Sequence, residues 1–330
     1  MSATPKLVTI FGGSGFVGRY IVRRMAKEGW RVRVAVRRPN EAIFVKTYGN
    51  VGQIEPLLAN IRDEASTRAA IIGSDAVVNC VGILNETSRQ KFNTVQTEGA
   101  GRIARIAAEC GVTNFVHFSA IGADSNSESN YSKSKAEGES LVRAAFKSAI
   151  ILRPSIVFGN EDQFFNRFAT MAKLSPVVPL VGSKTKFQPV YVDDLAAAAV
   201  KAITENVKPG IYELGGPEVA TFKELIVKLM GIIRRKRLIV NVPFFAALIQ
   251  AYVFDMAQKL SLGLFTNSIL TRDQVRSLKS DNVVSLRGKS FKELNIEPVA
   301  MDAILEEYLY RHRPYGQYTE LTETAGNLKP

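Results

Sequence analysis

Gly12-Gly13-Ser14-Gly15-Phe16-Val17-Gly18 decides the fold of this chain. The stretch follows an apolar run, Leu7 to Phe11, of the length of a buried strand. It opens a helical pattern in which Phe16, Val17, Ile21, Val22 and Met25 recur on one face. Gly12, Gly15 and Gly18 form a G-x-x-G-x-x-G series, a variant of the G-x-G-x-x-G dinucleotide fingerprint. Both versions meet the same physical need: a tight turn, close backbone approach to a pyrophosphate, and tight packing of helix on sheet. The phosphates then sit on free N–H groups at a helix N-terminus, where the helix dipole favours negative charge.

Outward from that stretch, strand-like and helical patterns alternate through the first half. This predicts an α/β fold with a doubly wound parallel sheet built from βαβ units. Strands are expected at Leu7–Phe11, Arg31–Val36, Ile54–Ala59, Ala76–Val81, Asn114–Ser119 and Ala149–Leu152, with helices such as Thr97–Cys110 and Lys133–Phe146 between them. Further strands at Lys186–Val192 and Ile211–Leu214 are expected to return to the main sheet. The expected division is a Rossmann dinucleotide-binding domain over residues 1–160, with returning strands within 186–215. A smaller C-terminal α/β lobe comprises 161–185 and 216–316, and a polar, mobile tail runs from Gln317 to Pro330.

The chain has 330 residues, is 46% hydrophobic and carries a net charge of +12, an ordinary globular composition with a strong basic excess. Cys80 and Cys110 lie in apolar segments and imply no disulfide framework, which suits a reducing compartment. Met1 to Lys6 reach the first strand without a hydrophobic signal region or an Arg/Ser-rich presequence. The expectation is a bacterial, cytoplasm-facing chain, or one whose presequence has been removed. The charge admits nucleic acid, anionic lipid or an acidic protein as partner. With no helix-turn-helix, zinc-finger or aromatic RNA-binding signature, no nucleic-acid partner is expected. Arg19, Arg23, Arg24, Lys27, Arg31 and Arg33 crowd the first helix and second strand, either as part of that basic partner surface or as a solvated face.

Residues 234–265 stand apart. Arg234-Arg235-Lys236-Arg237 precede a charge-free run from Leu238 to Phe254, 254 − 237 = 17 residues. A spanning helix needs roughly 20 mostly apolar residues, and Asn241, Pro243 and Gln250 interrupt this run. It is a poor membrane span. The basic cluster beside Pro243-Phe244-Phe245 suits a segment lying on anionic lipid headgroups or against a partner. The other reading is a buried helix of the smaller lobe.

An acid about 20 residues past the glycines holds a ribose 2′-hydroxyl in the dinucleotide pattern, and an Arg there accommodates a 2′-phosphate. Counting 38 − 18 = 20 lands on Arg37 and Arg38, with no carboxylate at the end of that strand. Guanidinium groups pair with phosphate in bidentate fashion, so the expected cofactor is NADPH (NADP). Asn60 and Ile61 precede Asp63, the expected cap of the next helix, and sit where the third strand's end would meet adenine. Asn79-Cys80-Val81-Gly82 ends the fourth strand, where a small residue lets backbone approach the cofactor. Tyr131 and Lys135, four apart, share one helical face. The ammonium can lower the phenol's pKa and contact nicotinamide ribose hydroxyls, making Tyr131 a candidate general acid. Ser119, 131 − 119 = 12 residues earlier, is placed to hydrogen-bond a substrate carbonyl. No metal site is expected.

The Gly loop, Ser119/Tyr131/Lys135, Arg153-Pro154-Ser155-Ile156-Val157-Phe158-Gly159 and Val190-Tyr191-Val192-Asp193-Asp194 resemble the short-chain dehydrogenase/reductase superfamily, in its atypical and extended branches. Extended members are commonly epimerases, dehydratases or reductases. A narrower resemblance rests on Phe158-Gly159-Asn160-Glu161-Asp162, Gln188 to Asp194, Leu270-Thr271-Arg272-Asp273-Gln274-Val275 and Arg311-His312-Arg313-Pro314-Tyr315. These are similar to the NADPH-binding accessory subunits of respiratory complex I (NADH:ubiquinone oxidoreductase). In that family the nucleotide is held tightly and is not known to take part in turnover. The subunit lies peripherally where the hydrophilic arm meets the membrane, close to the quinone-reaction region.

That resemblance implies Gly12, Ser14, Gly15 and Phe16, with Gly18, around the pyrophosphate, and Arg37 and Arg38 at the 2′-phosphate. Asn60 and Ile61 fall near adenine, although many relatives carry Asp at position 60. Cys80, Val81 and Gly82 fall along the ribose, Ser119, Tyr131 and Lys135 at the nicotinamide end, and Pro154, Ser155, Ile156 and Val157 close that side. The implied partners are other complex I subunits near the quinone region, with lipid headgroups through 234–265. The implied location is the cytoplasmic face of a bacterial inner membrane, or the matrix side in an organelle. Tyr131 and Lys135 are compatible with two functions: a non-catalytic subunit braced by NADPH, and an NADP-dependent reductase, epimerase or dehydratase with Tyr131 as acid/base.

Overall fold

Short apolar runs, enriched in Val and Ile, become strands covered on both faces, as a parallel sheet requires. In the computed structural model, which describes residues 5–87, 89–260, 271–286 and 288–327, the first six are β1 (Leu7–Phe11), β2 (Arg31–Val36), β3 (Ile54–Leu58), β4 (Ala76–Asn79), β5 (Asn114–Phe118) and β6 (Ile150–Pro154). The helices between them are α1 (Phe16–Lys27), α2 (Glu64–Ile71), α3 (Glu98–Glu109) and α4 (Asn130–Ala145). The chain then builds β7 (Val157–Phe158), α5 (Phe165–Leu174), β8 (Val177–Val181), β9 (Lys186–Phe187), β10 (Val190–Tyr191) and α6 (Val192–Thr204). It re-enters the sheet as β11 (Gly210–Leu214). Then follow β12 (Ala220–Thr221), α7 (Phe222–Ile232), β13 (Leu238–Val242), α8 (Phe244–Leu260), α9 (Arg272–Ser277), α10 (Met301–Leu309) and α11 (Thr319–Asn327).

The main sheet has seven parallel strands in the order β11-β6-β5-β4-β1-β2-β3, the doubly wound order with its reversal between β1 and β4. On one face Ile21, Val22 and Met25 of α1 share a core with Leu195, Ala198, Ala199 and Ala202 of α6. On the other, Ile71, Ile103, Ile106 and Val142 pack from α2, α3 and α4. A third core lies beside the sheet, where Phe158, Phe164, Phe165, Phe168, Phe187 and Phe222 stack with centroids 5.0 to 6.4 Å apart. Two distant motifs lock this lobe. The Tyr308 hydroxyl donates to the Asp162 carboxylate, and Arg311 donates to Asn160 O at 2.9 Å and to Asn166 Oδ1 at 2.7 Å.

One expectation is corrected. Lys186–Val192 is not one strand returning to the main sheet: β9 pairs with β12 and β10 with β7, and Val192 already begins α6. Pro189 has no N–H for a ladder, and Gln188 N–H donates instead to Asn282 O (3.2 Å). Of the expected returning strands, only Gly210–Leu214 joins the sheet, beside β6. Within the stretch from Gln317, α11 occupies Thr319–Asn327. Residues 328–330 of that tail, Leu270, and 261–265 of the basic-apolar segment lie outside the described residues.

Candidate nucleotide-binding site

Where the strand order reverses, the carboxyl ends of β1 and β4 border one crevice. Gly12 has φ +75°, a conformation that a side chain strains. Its N–H donates to Ala35 O (3.0 Å) and its carbonyl accepts Gly15 N–H (2.9 Å). A Cβ on Gly18 would stand 2.3 Å from the Gly12 oxygen and 2.7 Å from Gly13 Cα, so helix and turn touch backbone to backbone. Gly15 is the N-cap of α1, with no side chain capping it and no acid in the first turn. The first-turn N–H groups are thereby left for an anion. Arg19 braces the loop: it donates to Ser14 O (3.1 Å), pairs with Glu161 (3.3 Å) and lies over the Phe44 ring. The Phe16 ring packs beside Gly159, where a Cβ would come within 3.4 Å of it.

Arg37 and Arg38 follow β2 and are exposed; Arg38 reaches Glu41 at 2.9 Å. Asn60 Oδ1 accepts Arg62 N–H (3.1 Å), and Asp63 caps α2 through Ser66 N–H (2.7 Å), as the sequence predicts. Hydrogen bonds from Ser66 hold the Asp63 carboxyl below the usual range. The Ile61 side chain is buried against Gly99, where a Cβ would lie 2.8 Å away, and its carbonyl accepts Arg102 (2.7 Å). That side chain belongs to the core beneath α3. Val81 and Gly82 connect the two ends of the crevice. A Cβ on Gly12 would meet Val81 Cγ2 at 3.3 Å, and one on Gly82 would meet Lys135 Nζ at 3.3 Å. Cys80 precedes them, its thiol pushed up by burial.

At the far end Lys135 is buried and donates to Phe118 O (3.1 Å). Burial brings its ammonium down to about 8, against the opposing charge of Glu139. The Tyr131 ring stands edge-on to Phe92, and burial pushes its phenol up to about 12. Desolvation of the phenolate sets that shift, and the expected lowering by Lys135 is not among its causes; the ammonium keeps two N–H donors beyond the one to Phe118 O. Ser119 is buried with an unpartnered Oγ, a group that costs stability until something hydrogen-bonds it. Beneath it Asn79 and His117 share a hydrogen bond of 3.2 Å, and burial lowers the His117 imidazole to about 3. Pro154 O accepts Ile121 N–H (3.0 Å), Ser155 Oγ lies 2.9 Å from Asn282 O, Ile156 O accepts Val190 N–H (2.9 Å), and Val157 pairs with Val190.

An uncapped helix N-terminus, a turn with no room for side chains and an orphaned hydroxyl at the opposite end fit an elongated phosphate-bearing ligand. Residues 8–215 match the NAD dependent epimerase/dehydratase family. The chain is 34% identical over 316 residues to the mitochondrial NADH dehydrogenase (ubiquinone) 1 alpha subcomplex subunit 9 of Arabidopsis thaliana, covering 94% of this chain and 79% of that protein. It is 31% identical over 311 residues to the mitochondrial NADH-ubiquinone oxidoreductase 40 kDa subunit of Neurospora crassa, covering 94% and 80%. This chain belongs to the complex I subunit 9 family. Its fold is shared with an NADPH-dependent quinone oxidoreductase from Escherichia coli solved with NADPH, at TM-score 0.69 and 19% identity over 92% of this chain and 98% of that one.

The family match supports a nicotinamide cofactor for this subunit 9 family member. Three residues beside the crevice were not among the expected site residues. Gln96 sits in a π-helical turn, Asn93–Thr97, with its Nε2 donating to Ser134 Oγ (3.1 Å) and its Oε1 buried without a partner. A Cβ on Gly82 would lie 3.6 Å from that oxygen. An extra residue in a helix disturbs its periodicity at functional positions, but nothing in the composition marks it. Asp273 and Asn282 arrive from the far end of the chain, and only folding brings them to α4 and Ser155. The basic crowd around α1 also resolves: Arg19 pairs with Glu161, Arg24 binds Asp193 through two 2.7 Å bonds, and Arg33 donates to Ala70 O (2.7 Å). Arg23, Lys27 and Arg31 remain exposed.

Proposed function

We propose that this chain is a non-catalytic accessory subunit of complex I that carries tightly bound NADPH as a structural brace. The observation that carries this reading is that its likeness to complex I subunits runs through the C-terminal lobe as well as the nucleotide half. Arg37 and Arg38, with no acid at the β2 end, would hold the 2′-phosphate. The α1 N-terminus would hold the pyrophosphate, and Lys135 and Tyr131 the nicotinamide ribose. A nicotinamide, when bound, supplies hydride chemistry. Tyr131 and Lys135 are equally suited to hold a nicotinamide ribose and to donate a proton, so the choice of retention rests on the likeness to complex I subunits. A ligand that binds only the folded chain stabilises it by RT ln(1 + [L]/Kd), about 4 kcal/mol at thousandfold saturation.

No helix among the described residues is long and apolar enough to cross a membrane. We place the subunit peripherally, near the junction of the hydrophilic arm with the membrane and the quinone-reaction region. That face is cytoplasmic in a bacterium and matrix-side in a mitochondrion. Helix α8 fits this role. It buries Ala247 and Ala251 and exposes Phe245, Ile249, Tyr252 and Val253, an apolar face suited to neighbouring subunits, while the basic cluster before it would meet anionic headgroups. The basic cluster is not wholly free for lipid. Arg235 donates to His312 O (2.9 Å) and Arg237 to Ala172 O (2.7 Å).

The test is Arg37→Ala with Arg38→Ala, read by NADPH fluorescence titration and by recovery of NADH:quinone reductase activity with the tagged chain. Loss of nucleotide together with reduced recovery is expected. Full recovery with a nucleotide-free double variant would overturn the brace. A second reading, an NADP-dependent reductase, epimerase or dehydratase, is favoured by the unpartnered Ser119 Oγ beside an intact Tyr131 and Lys135. It requires that bound NADPH be oxidised by some carbonyl substrate and that Tyr131→Phe abolish the turnover.

A further inference from the structure

The stretch from Thr271 to Asn282 lies beside the nicotinamide end of the crevice, and α9 packs against the first turn of α4. Ser129 is the N-cap of α4, with its Oγ accepting Ser132 N–H (3.3 Å). Asp273 binds the same turn three times over: Oδ1 accepts Asn130 N–H (2.6 Å), and Oδ2 accepts Ser129 Oγ–H (2.8 Å) and Tyr131 N–H (3.1 Å). An anionic carboxylate at a helix N-terminus is stabilised by the dipole and satisfies donors that the helix cannot. Asp273 is itself fixed, because Thr271 and Gln274 form a reciprocal capping box on α9. Gln274 Nε2 also donates to Asn85 Oδ1 (2.9 Å) in the loop after β4. Ten residues downstream of Arg272, Asn282 holds Ser155.

The opposite side of α9 is joined to the exposed helix. Arg272 Nε donates to Asp255 Oδ2 (3.0 Å) and its guanidinium lies 5.4 Å from the Tyr252 ring centroid. Val275 is buried with Ala247 and Ala251 of α8. One short helix thus touches both the turn that carries Tyr131 and the helix that presents the apolar outer face. The bonds from Asp273 to Tyr131 and from Arg272 to Asp255 leave α9 from adjacent residues.

We propose that Asp273 is a positioning residue for the nucleotide site, and that α9 latches α4 so that nucleotide occupancy and the seating of α8 are thermodynamically linked. This rests on the nucleotide reading above. When the latch is closed the first turn of α4 is formed and Tyr131 is in place. When it is open, nucleotide binding must first order that turn, and apparent affinity falls with the closed fraction. Linkage is reciprocal: whatever holds α8 in its seat also tightens nucleotide, and nucleotide tightens α8.

The experiment uses the whole chain, NADPH as probe, and hydrogen exchange with and without it. In the wild type NADPH is expected to slow exchange at residues 130–132, 272–277 and 244–256. Asp273→Asn keeps size but turns an amide N–H₂ toward one of the donors. It is expected to release NADPH about tenfold faster and to lose the NADPH-dependent protection at 244–256. Arg272→Ala leaves Asp273 in place. It is expected to keep protection at 130–132 while losing it at 244–256. Unchanged melting of the NADPH-free Asp273→Asn chain is not required, because the exchange pattern reports the link directly. A wild type that binds NADPH while Asp273→Asn releases it at the same rate and keeps protection at 244–256 overturns the latch alone. A wild type that takes up no NADPH overturns the nucleotide reading and the latch with it.

Discussion

Helices α1 and α8 face opposite demands. Helix α1 buries Gly18, Ile21, Val22, Met25 and Ala26, and its outward cations Arg19 and Arg24 find Glu161 and Asp193 within the same chain. Helix α8, of 17 residues, is more apolar, yet Phe245 is 69% and Ile249 64% exposed. The helix with the mixed sequence is complete inside the fold, and the more hydrophobic one is not. The difference teaches that burial follows from what the rest of the chain can cover. An apolar face left open at that size is a cost that a partner would remove.

The largest expected effect lies on the α1 side. Gly18→Val drives a side chain into the Gly12 carbonyl, which a Cβ alone would approach to 2.3 Å. A loss of about 3 kcal/mol or more in urea unfolding, with no NADPH retained, is expected. Near-wild-type stability would show that the turn yields and that its packing is not what shapes the site. On α8 the inner face should resemble α1. Ala247 is fully buried, and Ala247→Asp should cost about 3 kcal/mol by placing a charge among Val181, Ala251 and Val275.

A middle-sized effect belongs to Lys135. Its folded pKa of about 8 lies below its ordinary value of 10.5. Between those values the unfolded chain holds the proton and the folded chain has released it, so stability rises with pH across that window. The NADPH-free wild type should gain roughly 2–3 kcal/mol there, and Lys135→Met should show no such gain. An equal rise in both would assign it to other groups. The smallest effect is Ile249→Asp, which should change unfolding of the isolated chain by no more than about 0.5 kcal/mol. The same variant should recover less NADH:quinone reductase activity than the wild type. Undiminished recovery would mean that the exposed face of α8 is not a docking face.

Much of the nucleotide half was legible because its signals are local. Strand and helix periodicities located β1, β2, β3, β5 and β11 to within a residue or two, Asp63 was recognisable as a cap, and Gly12 through Gly18 announced the turn. Lys186–Val192 was misjudged because a run of strand-forming residues does not say which neighbour completes it. Pro189 and the approach of Asn282 split it into two short pairings. The Tyr131 phenol was misjudged for a related reason. The Tyr131–Lys135 spacing is visible in one dimension, while burial and the Phe118 carbonyl that engages Lys135 are not.

The sequence by itself determined the alternation of strands and helices, the glycine turn and the pair of arginines where an acid would otherwise stand. Each depends on residues within about twenty positions of one another. Only the tertiary structure decided that Asp273 would hold the turn bearing Tyr131, that Tyr308 would reach Asp162, and that α8 would keep its apolar face outside. The physical reason is that hydrogen bonds and desolvation depend on which groups meet in space. Meetings across 142 or 146 residues leave no periodicity in the chain to announce them.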